Sequence, residues 1–64
     1  MMYVIKKGDR YVADADKENS FTRDLNKAYV SRTKDNAKDF SYPCKGEVIV
    51  KVTVNKQGKL VEVK

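Results

Sequence analysis

The chain has 64 residues and a mass of 7.3 kDa, a length that fits one domain, residues 1–64, burying only about 60% of the surface its unfolded form exposes. A hydrophobic content of 41% argues against a disordered tail, and a single cysteine, Cys44, rules out an internal disulfide. The formal net charge of +5 favours approach to polyanions, and the absence of histidine removes the commonest metal ligand and general base.

The first element is a hairpin. In "YVIKKGDRYVA" the segments Tyr3–Lys6 and Tyr11–Ala13 are rich in aromatic and β-branched residues. Gly8-Asp9 lies between them with glycine in the first central place, as a type II′ turn requires. That register sets Ile5 opposite Val12 and Val4 opposite Ala13. The acidic stretch "DADKENS" that follows reads as a loop. Its Asp14, Asp16 and Glu18 imitate the start of a calcium loop, but Asn19 stands where the glycine belongs and Leu25 where the bidentate glutamate belongs, which removes calcium.

Residues 20–40, "SFTRDLNKAYVSRTKDNAKDF", admit two readings. Phe21, Leu25, Ala28 and Tyr29 follow a helical stripe, yet "SRTKDN" contains nothing apolar, so one long helix would lose its buried face for more than a turn. The alternative makes "KAYVSR", residues 27–32, a strand, Thr33 an N-cap and "KDNAKDF" a short helix that buries Ala37 and Phe40. Adjacent Tyr29 and Val30 favour the strand. The segments "YVIKKGDRYV", "SFTRDLNKAYV" and "RTKDNAKDF" together resemble small phage and prophage accessory proteins of Gram-positive bacteria. The resemblance spans residues 3–40 and implies the order loop, strand, helix. Where such sequences carry phenylalanine after the valine, this chain has Ser31.

"SYPCKG" is a connector in which Pro43 biases Tyr42 toward an extended conformation. "EVIVKVTV" is the clearest strand: Val48, Val50, Val52 and Val54 alternate with Glu47, Lys51 and Thr53. "NKQG" turns it and "KLVEVK" returns. Turn chemistry favours a type I turn closed by Gly58 in a bulge, pairing Val54 with Leu60 and Val52 with Glu62. Burial favours a two-residue turn at Gln57-Gly58, pairing Val54 with Val61 and Val52 with Val63. A one-residue slip exchanges the faces, and the expectation here is the burial register, because so small a chain needs its valines inside.

The fold class expected is therefore α+β: a small, mostly antiparallel sheet of four to five strands, two hairpins plus a middle strand, with one short helix packed on one face. Phe21, Phe40, Tyr3, Tyr11, Tyr29 and the valines are the core candidates. No apolar run reaches the ~18 residues needed to span a bilayer, no secretory leader is recognisable at "MMYVIKKGDR", and one cysteine suits a reducing compartment. The expected location is cytoplasmic, that of the host cell if the chain is phage-encoded.

The residue inventory supports little catalysis. Neither a thiolate zinc site nor a histidine-based triad can be assembled. Asp35 and Asp39 alternate with Lys34 and Lys38 as a solvated helix face, and the three glycines fall in turns, so no phosphate-cradling loop exists. The expectation is a protein that is no enzyme and uses neither cofactor nor metal. Residues 1–40 carry nine basic and seven acidic side chains, whereas residues 41–64 carry five and two. The candidate binding residues are accordingly Lys45, Lys51, Lys56, Lys59 and Lys64, with Arg23 and Arg32. The leading partner is a host or phage protein, as the resemblance implies; the alternative is nucleic acid, held by backbone contacts to single strands or duplex. A homodimer through the edge strand "KLVEVK" is a further expectation.

Overall fold

A computed structural model describes residues 2–14, 16, 17 and 20–63. Five strands, β1 (Met2–Lys7), β2 (Arg10–Val12), β3 (Phe21–Thr22), β4 (Glu47–Val54) and β5 (Leu60–Glu62), form one sheet in the order β3-β2-β1-β4-β5. Every neighbouring pair is antiparallel. One α-helix, α1 (Lys34–Phe40), lies between β3 and β4 in sequence, flanked by single 3-10 turns at Leu25–Lys27 and Pro43–Lys45. The α+β architecture read from the sequence is the one the structure shows.

The opening hairpin takes the expected register, with Lys6 opposite Tyr11 and Lys7 opposite Arg10. Gly8 has a φ of 60°, a conformation glycine adopts at no steric cost. Helix α1 starts where the sequence placed it: Thr33 is extended and its Oγ1 accepts the Asn36 N–H at 3.1 Å. The aspartate Asp35 in its first turn faces the positive end of the helix dipole. Strand β4 covers the expected "EVIVKVTV" and pairs with β1 over six residues.

The middle strand differs from the expectation. Residues 27–32 do not form a ladder strand; the third strand is Phe21–Thr22, pairing Phe21 with Val12 and Thr22 with Tyr11. The Ala13 N–H donates to the Ser20 carbonyl, which folds the acidic loop back and brings Phe21 alongside β2. Residues 28–31 are nevertheless extended, and they continue along the edge of β1 that β2 vacates after Val12. The Tyr29 N–H donates to the Val12 carbonyl, and Ser31 and Tyr3 exchange both backbone hydrogen bonds. Since β2 already occupies the rest of that edge, only one bridge fits. The extended segment still alternates its side chains, with Ala28 and Val30 in one buried cluster and Tyr29 against Phe40.

The register of the closing hairpin also corrects the expectation. Val54 faces Leu60 and Val52 faces Glu62, as turn chemistry favours and burial does not. The Asn55 Oδ1 accepts the N–H groups of both Gln57 and Lys59, at 2.9 and 3.0 Å. Gly58 adopts a φ of 76°, as a type I turn with a glycine bulge demands. In this register Glu62 shares the face of Val52, and its carboxylate meets Lys6 Nζ at 3.0 Å across the sheet.

Both sheet faces are covered, each by a different device. On one, Val4, Tyr11 and Val52 are buried under Leu25, Ala28 and Val30, with Met2, Val50 and Leu60 around them. On the other, Ile5 and Val12 are buried under Ala37 of α1, with Tyr3, Phe21, Phe40 and Ile49 around them. Tyr29 packs edge-on against Phe40, ring centroids 5.6 Å apart. All five aromatic core candidates are buried or half-buried, but of the valines expected in the core, Val48, Val54, Val61 and Val63 are exposed, because the two sheet faces extend past the elements that cover them. Fully burying a valine such as Val52 stabilises by about 1.5–3 kcal/mol.

Candidate binding surface

Helix α1 sits over β1 and β4. A helix is about 10–12 Å across and strands lie about 4.8 Å apart, so one helix shelters roughly two strands, and β5 on this face is left open. Alternation along β4 puts Ile49, Lys51 and Thr53 on the helix side. Thr53 lies opposite Val61, and the Val63 N–H donates to the Lys51 carbonyl at 2.9 Å. Lys59, Val61 and Val63 therefore share this face with Lys51 and Thr53. All of these are exposed except Ile49, which is half-buried. Val61 keeps 36% and Val63 40% of its surface in water. The carboxylate of β5, Glu62, points to the opposite face, where it is paired with Lys6.

Of the expected binding residues, the structure brings only Lys51 and Lys59 together on one face. Lys56 stands at the exposed tip of the closing hairpin, and Lys45 lies at the other end of β4 with its Nζ 4.9 Å from the centroid of the Tyr42 ring. Arg32 is exposed just before the helix cap, and Arg23 follows β3 with its Nε 3.7 Å from Asp9 Oδ2. That exposed pair contributes little to stability. Lys64 lies outside the described residues.

Two lysines absent from the expected set work inside the fold. Lys6 Nζ lies 5.6 Å from the Tyr11 ring centroid, and Lys7 Nζ lies the same distance from that of Phe21. Their stems cover aromatic surface while the charged ends stay wet. The hydrogen bond from Lys6 to Glu62, helped by the charges of Tyr11, Glu62 and Asp9, raises the Lys6 pKa above its ordinary 10.5, against a smaller opposing effect of burial.

Several acidic side chains serve as turn makers. Asp14 and Asp24 each accept a backbone N–H two residues ahead. Glu47 is buried and accepts the Tyr42 N–H at 3.2 Å, which holds the connector against the start of β4. Among the described residues, no group of three or more His, Cys, Asp or Glu side chains is placed to hold a metal ion. Among the same residues, no helix is long and apolar enough to cross a membrane.

The edge of β5 is shorter than its sequence suggests. The Lys59 carbonyl accepts the Asn55 N–H and the Val63 N–H donates to the Lys51 carbonyl, so Lys59 and Val63 bond inward and alternation turns the N–H and C=O groups of Leu60 and Glu62 outward. The Leu60 N–H is already taken, at 2.9 Å, by the side-chain carbonyl of Asn26. Among the described residues of this edge, Glu62 alone presents its full backbone pair to the open side.

No protein-family model, curated protein or solved structure matches the chain. The apolar residues of this surface, Val61 and Val63, were missed in the sequence because the burial register turned them inward. The local signal that would have found them was the Asn55–Gly58 turn chemistry.

Proposed function

We propose that this chain is a small non-catalytic binding protein whose partner is another protein. The observation that carries this reading is the strip of Val61 and Val63 on the uncovered part of the helix-side face. Four of the nine valines, Val48, Val54, Val61 and Val63, are exposed in a domain too small to leave apolar surface outside without cost. Branched aliphatic side chains ringed by lysine suit a protein surface better than a phosphate backbone, which has no use for them. The resemblance to phage and prophage accessory proteins points to a host or phage protein in the host cytoplasm as the partner.

A second reading, nucleic-acid binding, draws on one specific feature. Tyr42 is the one aromatic left 53% exposed, and its ring lies beside the Lys45 ammonium, a pairing of stacking face and cation that single-strand binders use. The other aromatics hold the core together.

Affinity capture from nuclease-treated lysate of a Gram-positive host, run beside DNA-cellulose, separates the two. A protein retained in stoichiometric amount through moderate salt is expected. Retention only on DNA-cellulose, lost steeply as salt rises, would replace the leading reading by the second.

A further inference from the structure

Resting on that protein-binding reading, we infer that the open half of the helix-side face, floored by Thr53, Val61 and Val63 and flanked by Lys51 and Lys59, receives an acidic amphipathic helix of the partner, laid beside α1. The shape argument is the width of the sheet. Helix α1 packs mainly on β1 and β4, and Val61 and Val63 beyond them stay exposed, so a second helix fits next to the first and overhangs the β5 edge. The chemical argument is the charge. The five exposed residues of this patch include two lysines and no carboxylate, because the alternation that exposes Val61 and Val63 sends Glu62 through to Lys6.

A second copy of the chain is the poorer occupant. It would set +5 against +5 and bring Lys51 and Lys59 toward their own duplicates, a like-charge arrangement that costs energy in a drying interface. Strand addition along β5 is also poorer, since Asn26 already occupies the Leu60 N–H. A helix asks for no backbone hydrogen bonds from the edge. It offers apolar side chains to the valines and carboxylates to the lysines, the helix-in-groove mode of recognition.

The test uses the full chain, isotope-labelled, titrated with an amidated synthetic helix of leucine, alanine and glutamate carrying one leucine stripe. A counterpart with lysine in place of glutamate, vesicles of phosphatidylglycerol, and oligothymidine form the other arms. Saturable amide shifts confined to Lys51, Thr53, Val61 and Val63, seen with the acidic helix alone, are expected. The double variant Val61→Thr with Val63→Thr keeps β-branched side chains and should weaken that binding about tenfold. The control Val48→Thr with Val54→Thr, on the opposite face, should leave it unchanged. Absence of saturable shifts, shifts centred elsewhere, or an equal response to the lysine helix would overturn the inference, as would movement of these amides by vesicles or oligothymidine in place of the acidic helix. The two readings fail separately. If affinity capture retains a protein that the Val61→Thr, Val63→Thr variant still binds with wild-type affinity, this site is wrong and protein binding stands. If no protein is retained at all, protein binding itself falls.

Discussion

Ser31 is 1% exposed, and its Oγ has no hydrogen-bond partner among the described residues. The backbone of this residue is fully used, exchanging two hydrogen bonds with Tyr3, so the side chain alone is unmatched. A buried hydroxyl without a partner costs about 1–3 kcal/mol of desolvation. Ser31→Ala removes that cost and leaves a space no larger than one oxygen atom. It should therefore raise stability by about 1 kcal/mol, read as a higher urea midpoint at unchanged slope; a lower midpoint would mean that the hydroxyl does hold a bond. Lys6 gives the opposite case, a charged group whose environment favours its charge. Its pKa is raised above 10.5 by the hydrogen bond to Glu62. For a cation raised in the folded state, the added stability is complete below the ordinary value and disappears as pH climbs through the raised one. Lys6→Met should hence be less stable than the parent at neutral pH, and the gap should close as pH climbs through the raised Lys6 value. A gap that stays constant across that range, followed by urea unfolding, would assign the loss to the stem's packing on Tyr11 and not to the ion pair.

At the scale of elements, local chemistry and burial compete, and the closing hairpin shows which prevails. Turning Val61 and Val63 inward would gain apolar burial, yet the chain forms the turn in which Asn55 accepts two backbone N–H groups and Gly58 sits at a φ of 76°. A β-carbon at Gly58 would meet nothing within 4 Å. The cost of Gly58→Ala is therefore purely one of backbone conformation, about 1–2 kcal/mol for an L-residue held in the left-handed region. Gly58→Asn should recover about half of it, because asparagine tolerates that region; equal losses for the two, measured by thermal unfolding, would mean the turn can shift to another type. The same contest explains what was legible in the sequence. Helix α1 was legible because its signals are local: a Thr33 cap, and Ala37 and Phe40 on one side. Strand β4 was legible because eight alternating residues outweigh any context. The strand expected at residues 27–32 was misplaced because its neighbours are remote. Whether Tyr29 and Val30 enter a ladder depends on how much of the β1 edge β2 has used, and no local pattern encodes that. The sorting of the lysines was only partly legible, since Lys6 and Lys7 look like any other lysine until the rings beneath them are placed.

For the whole molecule, the decisive contact is the one that ties its two edges. Strand β3 is one edge of the sheet and β5 the other, yet the side-chain oxygen of Asn26, four residues after β3, accepts the Leu60 N–H of β5. Leu25 and Ala28 accompany it into the cluster that includes Leu60. The segment thus straps one edge to the other, seals one buried face, and covers a donor that an open edge would offer to any passing strand. Its lysines discourage such pairing by charge; Asn26 does so by occupancy. Asn26→Ala removes the acceptor and leaves the apolar contacts of Leu25 and Ala28 in place. The Leu60 amide, protected by that one side chain, should then exchange with solvent about tenfold faster, while amides of β1 and β4 in the sheet centre keep their protection. Sedimentation at rising concentration should in turn reveal more self-association than in the parent, because the freed N–H joins that of Glu62 in a usable edge. If exchange at Leu60 stays unchanged in the variant, the strap is held by its apolar residues alone and the hydrogen bond adds nothing to closing the sheet.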